Sequence, residues 1–136
     1  MSAITEEANE AAVRAFYGRV LGGDAEGAMR ECLASDFVWE NPLPQPIPFA
    51  GAFRGAAGAA RYLDLIFANL QIEQFEIDDV LVKGPTVVVL GHETALVKAT
   101  NRRYQQQWVH MVQVADGRLT QIREYNDSAA MLQAFV

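Results

Sequence analysis

The chain holds a single cysteine, Cys32, so it can close no disulfide within itself and offers no thiolate set for a structural zinc. Basic residues are also scarce: 11 Lys and Arg stand against 17 Asp and Glu, which leaves a formal charge of −6. A domain of that sign repels a phosphate backbone, so no nucleic-acid partner is expected. No apolar run approaches the length needed to span a bilayer. The N-terminus, from Met1 to Glu7, is acidic and has no apolar stretch of the kind a signal peptide carries. These absences predict a soluble cytoplasmic protein with no membrane partner. There are two histidines, His92 and His110. Adjacent residues on a strand face opposite ways, so His92 and Glu93 do not readily share an ion, and no metal is expected. The glycine-rich run from Gly51 to Gly58 lacks the Gly-Lys-Ser/Thr ending of a phosphate loop and follows prolines, not a strand. No cofactor is expected.

What remains is 136 residues of which 51% are hydrophobic, enough for one domain, residues 1–136, with a core of its own. Ala12, Val13, Phe16, Tyr17, Val20 and Leu21 recur at helical spacing and predict a helix over about 4–21, ended by Gly22-Gly23. Asp24 caps a short second helix. A strand is expected from Asp36 to Asn41, with Phe37 and Trp39 on one face. Prolines at 42, 44, 46 and 48 forbid helix and predict an extended rim, and Gly51 and Gly55 bracket a turn. A third helix, Ala56–Leu70, should bury Ala59, Leu63, Ile66, Phe67 and Leu70. Four strands follow, over Ile72–Lys83, Thr86–Ala99, Arg103–Val114 and Leu119–Tyr125, the first with a bulge near Asp78-Asp79 where its apolar parity switches. Asp127 caps a last short helix. Early helices followed by a run of strands read as α+β with an antiparallel sheet, not as parallel βαβ units.

Two hairpins suggest which side chains meet. A three-residue loop with Gly117 left-handed pairs His110 with Ile122 and Trp108 with Glu124. A turn at Asn101-Arg102 pairs Ala95 with Trp108 and Glu93 with His110. One face then gathers Glu93, Gln106, Trp108, His110, Glu124 and Asn126 among valines and Ile122. The opposite face, with Leu90, Leu96, Val109 and Met111 among polar residues, offers a dimer surface. Pattern alone leaves open whether the polar cluster lines a pocket or the wet side of the sheet.

The run from Val38 to Pro44, with Trp39, Asn41 and Pro42, resembles the aromatic-x-Asn-x-Pro segment of limonene epoxide hydrolases. The run Asp116-Gly117-Arg118-Leu119 and its continuation Arg123-Glu124-Tyr125-Asn126-Asp127 resembles the ending of that family and of SnoaL-like proteins, within the nuclear-transport-factor-2-like superfamily. The resemblance implies a curved, mostly antiparallel sheet packed on N-terminal helices, cone-shaped with one internal pocket, in which Asn41 and Trp39 hold a nucleophilic water, Glu124 is its base and Glu93 the acid. The arginine that joins the two carboxylates in those hydrolases falls at Gly91 here. In the ketosteroid isomerases, which share the fold, the general-base aspartate aligns with Asn41, the oxyanion-hole tyrosine with Phe16 beside Tyr17, and the oxyanion-hole aspartate near His110. The acidic residue of SnoaL-like cyclases matches Asp127. These comparisons imply a cofactor-independent enzyme that uses general acid–base catalysis on a small apolar or polyketide-like molecule, by epoxide opening, cyclisation or isomerisation. The expected catalytic set is Asn41, Glu93, His110, Glu124 and Asp127. Tyr17, Trp39, Tyr62, Phe67, Gln106, Trp108 and Asn126 are expected to bind the substrate. Burial raises a carboxyl's pKa and a second carboxyl nearby raises one of the pair further, so Glu93 and Glu124 are suited to divide the roles of acid and base. The alternative is a non-catalytic ligand-binding or dimerisation module of the same fold, and the resemblance implies a homodimer in either case.

Overall fold

The computed structural model describes residues 3–136, with side chains from Thr5 onward; Met1 and Ser2, the start of the acidic N-terminus, lie outside the described residues. Helix α1 (Ala3–Leu21) turns at Gly23, whose φ of 88° is the left-handed conformation that glycine adopts at no steric cost. Helix α2 (Ala25–Cys32) starts at Asp24, whose side chain accepts from the Gly27 amide at 3.0 Å. Strands β1 (Leu33–Asn41) and β2 (Gly51–Arg54) precede helix α3 (Gly55–Asn69). Strands β3 (Leu70–Lys83), β4 (Thr86–Val97), β5 (Arg102–Ala115) and β6 (Arg118–Tyr125) follow, and helix α4 (Ser128–Phe135) ends the chain. Among the described residues no helix is long and apolar enough to cross a membrane.

The six strands form one curved, unclosed sheet in the order β2-β1-β6-β5-β4-β3. Every pairing is antiparallel except β1 with β6, which is parallel. The mostly antiparallel α+β architecture is as expected, but β2 is a correction: the segment read as a turn pairs with Val38–Asn41 of β1. Four residues on the sheet edge, between left-handed Gly51 and Gly55, are too short to show an alternating pattern.

Both predicted hairpin registers shift in the structure. Asp116 and Gly117, both at positive φ, make a two-residue turn, and a bulge between Gln113 and Val114 moves His110 opposite Glu124. The β4–β5 connection is four residues, Lys98 to Asn101, so Glu93 pairs with Gln106 and Ala95 with Tyr104. Each partner moves by an even number of positions. A strand repeats every two residues, so every side chain keeps its expected face. That face is the buried one: Glu93, Gln106, Trp108, His110 and Glu124 sit among buried Val87, Val89, Val97, Val112 and Ile122. The bulge expected in β3 lies between Ile77 and Asp79, and it lets Phe75, Ile77, Val80 and Val82 all pack on the core. Two residues assigned to helix cores are half-exposed instead: Leu21 at the end of α1 and Phe67 on the last turn of α3, each 52% exposed.

Candidate functional site

A cavity of about 220 Å³ lies between the helices and the concave face of the sheet. Of the expected residues, Tyr17, Asn41, Trp39, Tyr62, Phe67, Glu93, Trp108, His110, Glu124 and Asn126 line it. Gln106 stands behind the wall and positions Glu93 by a hydrogen bond of 2.6 Å. Asp127 does not reach it: the side chain is exposed and accepts from the Ala130 amide at 3.1 Å as the N-cap of α4. The alternation that turns Glu124 inward turns Tyr125 out, and the chain then leaves the sheet, so Asp127 faces the next helix instead of the cavity.

Glu124 is the hub of the polar wall. Its Oε2 accepts from Trp39 Nε1 at 2.8 Å and from the Tyr62 hydroxyl at 2.5 Å. Its Oε1 accepts from Asn126 Nδ2 at 3.1 Å and Asn41 Nδ2 at 3.3 Å, with His110 Nε2 at 3.4 Å. A carboxylate offers about four lone-pair directions, so these five contacts leave none for a further proton. Burial pushes the Glu124 carboxyl up, but the electrostatic attraction of His110 and hydrogen bonds from His110, Tyr62 and Asn126 outweigh it and hold the group at about 2. Glu124 is thus an ionised anchor.

Glu93 behaves as the opposite kind of carboxyl. Burial raises its pKa, against the hydrogen bond from Gln106, and the negative charge of Glu124 raises it further. Only its Oε1 is engaged, by Gln106 Nε2 at 2.6 Å and the Tyr104 hydroxyl at 3.4 Å. Gln106 is itself fixed, because its Oε1 accepts from the Asp127 amide at 2.7 Å. Oε2 of Glu93 has no protein partner among the described residues.

The two carboxyls are joined by amides: Gln106 Nε2 also donates to Asn126 Oδ1 at 2.9 Å, and Asn126 Nδ2 donates to Asn41 Oδ1 at 3.0 Å. On the other side of Glu124, His110 Nδ1 lies 2.7 Å from the Tyr17 hydroxyl. Burial, with the charge of Glu124, keeps that phenol protonated by pushing its pKa well above 10. Tyr17, His110 and Glu124 therefore form one chain of hydrogen bonds from cavity to anchor. The sequence register set His110 opposite Glu93; the four-residue β4–β5 connection instead sets it opposite Val89, and the shift at Gln113 brings it opposite Glu124.

The aromatic wall has its own logic. Phe75 stacks on Trp108 with centroids 4.7 Å apart and planes 18° from parallel, and Trp108 lies 4.3 Å from the His110 ring. This plate is possible because residue 91 is glycine: a Cβ there would run into the indole and the Glu76 carbonyl. An arginine bridging two carboxylates from this position has no room. The Trp108 Nε1 is a buried donor without a partner among the described residues.

Sequence reasoning missed Tyr104 and Phe75. Tyr104 shares the parity of Gln106 and Trp108 on one strand, a signal present in the sequence. Phe75 comes opposite Glu93 only once the shift between Ile72 and Gln74 is counted.

A curved sheet closed by helices over one polar-bottomed cavity defines the nuclear-transport-factor-2-like class of α+β domains. The chain belongs to the SnoaL-like domain family, whose model matches residues 13–122. No curated protein matches it. Among solved structures it is similar to an NTF2-like protein from Burkholderia xenovorans LB400, 32% identical over 95% of this chain and 96% of that one, with a TM-score of 0.86. It is also similar to an NTF2-like protein from Burkholderia thailandensis E264, at 20% identity over 94% and 97% of the two chains and a TM-score of 0.84. A third is TerC co-crystallised with polyporic acid, 22% identical over 93% and 97% of the two chains, with a TM-score of 0.82. The last two likenesses are of fold alone.

Proposed function

We propose that the chain is a cofactor-independent enzyme that moves a proton on a small, mostly apolar carbonyl compound, as isomerisation and cyclisation both require. The observation that carries this reading is the split between two buried carboxyls in one cavity: Glu93 has a raised pKa and a free oxygen, while Glu124 is ionised with every lone pair committed. Pairs of acids whose environments push them apart are how acid and base roles are divided near neutral pH. In this reading Glu93 Oε2 takes the proton from the carbon next to the carbonyl and returns it elsewhere. In this reading His110 Nδ1 carries the hydrogen of its contact with the Tyr17 oxygen. The Tyr17 O–H is then free to donate to the substrate oxygen as negative charge develops there. Trp39, Tyr62, Asn41 and Asn126 hold the anchor in place.

Epoxide hydration is less well supported, since Glu124 has no lone pair left for a water and the site of the bridging arginine is filled by Trp108. We also propose that two copies pair through the outer face of the sheet, where Leu81 and Tyr125 are exposed beside Val88, Leu90, Val109 and Met111.

The test is deuterium uptake from D2O by apolar ketones and β,γ-unsaturated ketones, with epoxides alongside, read by mass spectrometry. Wild type should exchange the hydrogen next to the carbonyl, at a rate that rises as pH climbs through the raised pKa of Glu93. Glu93→Gln should abolish the exchange. Exchange that survives Glu93→Gln would refute the assignment, and epoxide turnover without ketone exchange would refute the reaction class. A panel that binds without any turnover would leave a ligand-binding module.

A further inference from the structure

The cavity grades from polar and buried at the sheet to apolar and exposed at the helices. Glu93, His110, Trp108 and Glu124 are buried at its floor. Val20, Ile66, Ile72 and Phe75 are half-buried higher up. Leu21 and Phe67 line the same cavity yet are each 52% exposed, so they stand at its mouth. They come from the last turns of α1 and α3, and among the described residues the only titratable acids and bases lining the cavity, besides tyrosines, are Glu93, His110 and Glu124 on the floor.

Leu21 and Phe67 hold apolar surface half in water at the rim of the apolar cavity. The space behind them is small: about 220 Å³, against about 300–1,000 Å³ for pockets that enclose a drug-sized ligand. A ligand whose carbonyl end reaches Glu93 and which is longer than the cavity must leave through this uncharged opening. We infer that Leu21 and Phe67 are specificity-determining residues that bind an apolar tail emerging from the cavity, and that the ligand is an elongated neutral molecule with its carbonyl at one end. This rests on the carbonyl reading of the cavity proposed above, though not on whether Glu93 completes the proton transfer.

The test uses linear methyl ketones from 2-pentanone to 2-undecanone, with affinities measured by calorimetry on the full chain. Each methylene that reaches the half-open mouth should tighten binding by up to about fourfold, the ceiling set by full burial of a CH₂, and the gain should continue beyond the length that the cavity encloses. The double variant Leu21→Ser with Phe67→Ser should flatten the chain-length series by losing the gain for the outer carbons. Because both positions are half-exposed, the variant should fold, and its thermal unfolding is checked against wild type. A plateau in wild type once the cavity is full would overturn the inference. So would a double variant that keeps the gain, one that loses 2-pentanone equally, or a series in which nothing binds. A change in the mass of the chain in solution on the same substitutions would assign the patch to a protein partner and overturn it as well. Chain-length dependence without deuterium exchange would leave this inference standing and remove the proposed reaction; exchange without chain-length dependence would do the reverse.

Discussion

Replacing Glu124 by glutamine keeps the shape of the side chain and removes its charge. In the folded protein the carboxyl sits at about 2, against an ordinary value of 4.5. A difference of that size is worth about 3 kcal/mol of stability at neutral pH. The amide also turns one of two acceptor oxygens into a donor, placed among Trp39 Nε1, the Tyr62 hydroxyl, two asparagine amides and His110. Leaving buried donors or a buried charge unpaired brings the expected loss to about 3–5 kcal/mol. The sign follows from the lowered pKa: the contribution is complete above the unfolded value, near pH 4.5, and is lost as pH falls through the folded value, near 2. Urea unfolding of wild type and Glu124→Gln at pH 7.5, 4.5 and 3 measures this directly. The gap between them should be nearly the same at the two higher values and shrink by about 2 kcal/mol at pH 3. Equal stabilities at pH 7.5, or a gap that does not change down to pH 3, would refute the view of Glu124 as an ionised anchor.

Two further expectations separate neighbouring features from the site. Asp127→Ala removes the cap of α4 and should cost about 1 kcal/mol in the same assay, with ketone affinity unchanged; a loss of affinity with stability intact would return Asp127 to the site. Leu81→Lys combined with Tyr125→Lys should convert a two-chain species into a single chain by sedimentation velocity, whereas a wild type that already sediments as one chain would remove the outer face as an interface.

The face to which each polar residue belongs was legible in the sequence, because strand alternation depends only on parity. Glu93, His110 and Glu124 stayed on one face although both hairpin registers were off, since each partner moved by an even number of positions. The helices, their caps at Asp24 and Asp127, and the β3 bulge were legible for a similar reason: each depends on residues near one another in the chain. Which residues touch was not legible. That His110 serves Glu124, and that Gln106 serves Glu93, depended on a four-residue connection and on a bulge at Gln113 with no marker in the sequence. The chemical character of the two glutamates depended on tertiary structure alone. Both are buried carboxyls, on β4 and β6 either side of β5, and burial raises any such group. Five donors drawn from β1, α3, β5 and the end of β6 converge on Glu124, while Glu93 receives two and keeps one oxygen free. A local sequence cannot count the donors that distant segments deliver, and it is that count which makes one carboxyl an anchor and leaves the other able to carry a proton.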